Sequence, residues 1–166
     1  MELWPIRAAG TILLFTGQKQ GLKRRMMKKI LEVKPLYMDS VLLIARVAIA
    51  VLMLVHGLPK LAMLFSGEPI SFPGIMGMSP ALSLFLAVFS EVVCSVLILF
   101  GLGTRLAVLP LIMTMLIAVF YFHMEDPFSS KELGLHYLLV YVLLFITGSG
   151  KYSADNLLLE KTRAFS

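Results

Sequence analysis

Cysteine is nearly absent from this chain: among 166 residues only Cys94 is one. A lone thiol excludes an intrachain disulfide and an internal dithiol redox pair. Charge is scarce as well, at 15% of residues, while hydrophobic residues make up 58%. A mean hydropathy of +0.88 is too apolar for a soluble domain of this length. Zinc-type spacing is also missing from the three histidines, His56, His123 and His136, so no metal site is expected. Gly148-Ser149-Gly150-Lys151-Tyr152-Ser153 lacks the glycine spacing of a phosphate loop, has no Ser or Thr directly after the lysine, and follows no strand. It reads as a turn.

What the chain does have is long apolar runs. A helix crosses a bilayer core with about 20 residues. Four runs meet that length or approach it: Val41–Leu64, Ala81–Leu102, Leu106–Met124 and Leu133–Thr147, the last extending through Ser149 or leaning on Tyr152. The expected fold is an all-α integral membrane protein, a four-transmembrane-helix bundle with a basic amphipathic N-terminal segment. Its organisation is a basic N-terminal segment over residues 1–38, a membrane domain over 39–150 and a tail over 151–166.

The sparse charges supply an orientation. Residues 1–38 hold eight Lys and Arg, the turn after the second run holds Arg105, and the tail holds Lys151, Lys161 and Arg163. The other two loops hold only Lys60 and Lys131, beside Glu68, Glu125, Asp126 and Glu132. The positive-inside rule therefore puts both termini in the cytoplasm. The balance of +5 is topological and does not imply nucleic acid.

Before the first span, Leu22, Met26, Ile30 and Val33 recur at helical spacing against Lys23, Arg24, Lys28 and Lys29. This pattern predicts a basic helix on the inner leaflet. Thr11–Thr16 is no signal-peptide core, because no small-residue cleavage site follows it. Met27-Lys28-Lys29 reads as a start, with residues 1–26 upstream of it. Asp39 and Ser40 are the expected N-caps of the first span, and Pro59 should bend that helix rather than stop it. Ser153 or Asp155 should cap a short surface helix reaching Lys161.

The informative charge is Glu91, in the middle of the second run. A midplane carboxylate costs a few kcal/mol or more unless paired, protonated or hydrated. With both spans centred in the membrane, Arg46 lies roughly 7 Å from Glu91 along the normal, within reach of a guanidinium. An Arg46–Glu91 pair locking two helices is the expectation. Cys94 and Ser95 follow on the same face and allow close approach of a helix or a planar ligand. His56, His123 and His136 fall in the outer layer with Glu125, Asp126 and Glu132. They are placed to contact a quinone head group or to pass protons to Glu91.

Arg46, the block His56-Gly57-Leu58-Pro59-Lys60, Glu91, the stretch Gly101-Leu102-Gly103-Thr104-Arg105-Leu106-Ala107 and the run Gly148-Ser149-Gly150-Lys151-Tyr152-Ser153-Ala154-Asp155 resemble, in order and spacing, the DoxX family of small four-helix membrane proteins. The resemblance covers about Leu42 to Leu158, with Cys94-Ser95 standing where the family often has glycines. It implies a multi-pass protein of a bacterial plasma (inner) membrane, associated with oxidoreductase systems. Those include an archaeal thiosulfate:quinone oxidoreductase and oxidative-stress complexes.

The leading expectation is a membrane subunit of an oxidoreductase system that handles quinone or docks a redox partner. It need not itself be catalytic. Glu91, Arg46, His56 and His123 are the candidate reactive residues; His56, Lys60, Glu91, His123 and His136 are the candidate contacts to a bound quinone. Expected partners are the lipid bilayer, a redox enzyme and further copies of the chain. A non-catalytic membrane scaffold or assembly protein is the alternative. A small-solute or proton transporter is a third.

Overall fold

The computed structural model describes residues 35–164, and among these the only regular structure is helical. The amphipathic helix expected over residues 22–34 lies outside the described residues. Helix α1 is Pro35–Phe65, α2 Pro80–Phe100, α3 Thr104–Phe122, α4 Phe128–Thr147 and α5 Ala154–Ala164. The first four are long and apolar enough to cross a membrane.

The helix ends depart from the hydropathy windows for local reasons. Because the chain is already helical at Pro35, Asp39 and Ser40 lie inside α1 and do not cap it. Asp39 Oδ1 instead accepts the Lys151 N–H at 3.1 Å. Pro59 lacks an N–H for the helix ladder, yet α1 continues past it to Phe65. Helix α4 starts at Phe128, ahead of the expected Leu133, because its polar opening turns fold as helix although an apolar window discards them. It stops at Thr147 and does not reach Ser149, since Gly148 leaves the helix at φ +78. Ser153 is the cap of α5: its Oγ accepts the Asn156 N–H at 3.2 Å. Asp155, inside α5, accepts the Gly103 N–H at 2.9 Å.

Two spans are not α-helical throughout. Phe89–Cys94 in α2 and Ala118–Phe122 in α3 are π-helical. In the second, His123 N–H closes on the Ala118 carbonyl, five residues back, at 3.0 Å. Such turns recur at functional sites because they re-aim side chains within a helix. The first π segment carries Glu91 and the second ends next to His123.

The bundle closes in chain order. Gly57 of α1 lies against Glu91 and Val92 of α2. The Ser90 and Thr114 hydroxyls, 2.7 Å apart, tie α2 to α3. Helices α3 and α4 pack along their lengths, and His56 meets Tyr137 edge-on at 5.8 Å, joining α1 to α4. Ile49, Ala50, Met53, Ile98, Val108, Leu111, Tyr141 and Leu144 belong to the core within this ring.

Two glycines fix the register of α1 on α2. A Cβ at Gly57 would stand 2.8 Å from Val92 Cγ2 and 3.0 Å from Glu91 Cβ, so only hydrogen lets the backbones approach this closely. At the other end, a Cβ on Gly101 would stand 2.5 Å from Arg46 Nη1, and its φ of +71 also favours glycine. Glu91 is therefore level with Gly57, and Arg46 with the α2–α3 turn.

Candidate functional site

This register overturns the expected Arg46–Glu91 pair. Arg46 and Gly57 are three turns apart, roughly 16 Å along the axis, beyond any guanidinium reach to Glu91. Glu91 is instead paired with Lys60, whose Nζ donates to Oε1 at 2.6 Å and to Oε2 at 2.5 Å. Lys60 is one turn beyond Gly57 on the same helix face. The glycine brings α1 onto α2, and the lysine closes on the carboxylate exposed to that contact. The Glu91 side chain is 4% exposed and that of Lys60 29%, so the pair connects the bundle interior to its edge.

Two cavities meet at this pair. The first, about 310 Å³, has Lys60 and Glu91 in a mostly apolar wall that includes Leu86, Ile117, Phe122 and Ile75. Its outer side is formed by the loop before α2, held back on that helix by a hydrogen bond from Ile75 N–H to Ser83 Oγ at 3.0 Å. The second, about 250 Å³, shares Lys60, Glu91, Thr114, Ala118 and His123 with the first and adds His56, Ser130 and Tyr137. A lysine ammonium has three donors. Two are used by Glu91, leaving one for an acceptor in either cavity.

The histidines separate into different roles. His123 lines both cavities, and its Nδ1 lies 2.6 Å from Asp126 Oδ2, which orients the ring and leaves Nε2 for other contacts. His56 lines the second cavity against Tyr137. His136 is exposed, has Nδ1 2.7 Å from the Glu132 carbonyl, and borders neither cavity. Cys94 and Ser95 are buried, Cys94 in the apolar core, and neither lines either of these two cavities. Ala87 and Ala118 are the alanines in the wall of the first cavity.

Arg46 belongs to a separate polar knot. It is 2% exposed and donates through Nη1 to the Ser149 carbonyl and through Nη2 to the Tyr152 carbonyl, the latter at 2.6 Å. The same loop is tied down by Ser153 Oγ donating to Gly150 O at 2.7 Å and Asp155 N–H donating to Gly101 O at 3.1 Å. Three stretches singled out in the sequence, Arg46, the run from Gly101 and the run from Gly148, thus converge on one task, fastening the end of α4 to α1 and to the α2–α3 turn. None of them touches the Lys60–Glu91 cavities.

Sequence reasoning included Lys60 among the ligand contacts but missed it as the partner of Glu91. The available signal was the glycine one turn before it. It also missed Thr114, Ala118 and the Phe72–Met78 stretch, whose composition says loop and nothing about where the loop folds.

Comparison with known proteins adds the following. The DoxX family model matches residues 41–124, a range holding Arg46, His56, Lys60, Glu91 and His123. A protein of Haemophilus influenzae, itself described as uncharacterized, is 30% identical over 132 residues, covering 75% of this chain and 96% of that relative. No solved structure matches the chain.

Proposed function

Because the chain belongs to the DoxX family, we propose that it is a membrane subunit of an oxidoreductase system whose Lys60–Glu91 cavity receives a quinone-like lipid head group. The observation that carries this reading is one apolar cavity of about 310 Å³ with a buried ammonium–carboxylate pair and an oriented histidine in its wall. A few placed polar groups in an apolar cleft of this size suit a small, flat, largely apolar ligand.

In this reading the remaining Lys60 N–H donates to a ring carbonyl, and His123 Nε2 contacts the opposite polar edge. Glu91 exchanges a proton with the head group, and electrons pass to or from a docked redox enzyme. His56 and Tyr137 border the second cavity, along which protons reach the pair. The basic N-terminal segment and tail support cytoplasmic termini, and the Haemophilus relative supports a bacterial setting. A scaffold reading draws on the Arg46 knot but leaves the cavity and its paired charges without a role.

The test is the quinone content of protein purified from native membranes, comparing wild type with Glu91→Gln at matched thermal midpoints. Near-stoichiometric quinone is expected in the wild type. Affinity in the variant should fall at least about tenfold, the equivalent of one lost interaction with a charged group, and retained quinone should drop well below stoichiometric. Equal content in both proteins would refute the assignment.

A further inference from the structure

We propose that the Arg46 end of the bundle carries a second ligand site, for a phosphate group such as a phospholipid head group presents, between the start of α3 and the loop after α4. It is independent of the quinone reading.

A cavity of about 520 Å³ lies there, lined among others by Thr104, Arg105, Gly148, Ser149 and Leu158. The first turn of α3 opens on it. Leu106 and Ala107 N–H both go to the Gly103 carbonyl, at 2.8 and 2.9 Å, and no side chain caps the helix. The N–H groups of Thr104 and Arg105 precede the helix ladder, and the positive end of the helix dipole favours an anion beside them.

A second observation points to a ligand. Thr104 is 1% exposed, lines this cavity, and its hydroxyl has no hydrogen-bond partner. A buried hydroxyl without a partner is destabilising unless something supplies one. Arg105 provides the counter-charge. Its Nη2 donates to the Ile146 carbonyl at 3.2 Å and its Nε is 3.3 Å from where a Gly148 Cβ would stand, so the guanidinium is held over the loop. The fork has five donors, enough to keep that bond and also grip phosphate oxygens.

Asp155 also borders the cavity, and its Oδ1 is engaged by Gly103 N–H at 2.9 Å. Leu106, Leu158 and Leu159 are exposed beside the polar groups. They give the glycerol and upper acyl carbons of a phospholipid an apolar surface next to its phosphate. A free phosphate would use only the polar half.

The experiment is native mass spectrometry of the full chain released from detergent containing phosphatidylglycerol. Wild type should retain one tightly held lipid, and Arg105→Gln should weaken retention about tenfold, as loss of a charge-assisted contact predicts. Thr104→Val, which keeps the side-chain shape, should weaken it in the same direction and by less. Lys161→Gln, a cation outside the cavity, should leave it unchanged. Wild-type retention in both Arg105→Gln and Thr104→Val would overturn the proposal, as would an equal loss in Lys161→Gln. Excess inorganic phosphate separates the sources. Displacement of the lipid shows that soluble phosphate also occupies the site, while resistance to it assigns the site to the phospholipid.

Discussion

Arg46→Ala is expected to lower the stability of the bundle by about 4 kcal/mol, taking hydrogen bonds to a charged donor as worth about 1.5–3 kcal/mol each. Two such bonds are lost, to the Ser149 and Tyr152 carbonyls, together with the packing of a side chain that is 2% exposed. Those carbonyls belong to the loop that fastens α4 to α1, so unfolding should begin there. Arg46→Lys keeps the charge but cannot span both carbonyls with a fork, and should recover only part of the loss. Reversible denaturation in mixed micelles reads both variants. Combined with Glu91→Gln, the Arg46 effect should add to within about 0.5 kcal/mol, as expected of sites without shared partners. Strong coupling would restore the pairing expected from the sequence.

Lys60→Met is the second large effect. Removing one member of a buried pair leaves the other charge without compensation, at a cost of about 3–5 kcal/mol. The lower end, about 3 kcal/mol, applies here because the pair reaches the edge of the bundle through Lys60, whose side chain is 29% exposed. The double variant Lys60→Met/Glu91→Leu removes both charges and fills the space with apolar groups. It should recover most of that loss, since well-packed hydrophobic replacements of buried pairs are often neutral or stabilising. The two single changes should therefore be strongly non-additive, in contrast to the pair formed by positions 46 and 91.

The contrast marks what the sequence made legible. Span number and approximate position follow from run length, and the four helices lie where the apolar runs are. Pro59 does not stop α1, and Ser153 caps α5, as their chemistry suggests. The failure was one of depth. A hydropathy window centres every span in the membrane, which puts Glu91 near Arg46. The real register follows from where Gly57 and Gly101 allow contact. With Gly101 against Arg46 and Gly57 against Glu91, α1 carries Arg46 level with the α2–α3 turn and Lys60 level with Glu91. The candidate site was legible as a set of residue types and not as a set of partners. His123 and His56 reach the cavities, whereas His136, in the same predicted layer, faces outward. The difference is helix rotation, and π turns at Phe89–Cys94 and Ala118–Phe122 alter rotation without a composition signal.

The central claim is that the Lys60–Glu91 pair is a binding centre as well as a helix lock. The double variant Lys60→Met/Glu91→Leu separates these roles, because it keeps the helices together without the charges. Its quinone content, measured after purification from native membranes and normalised to folded protein, is the deciding value. The account predicts a folded bundle with its quinone lost. A folded double variant that retains quinone at the wild-type level would contradict it and leave the pair as a structural lock.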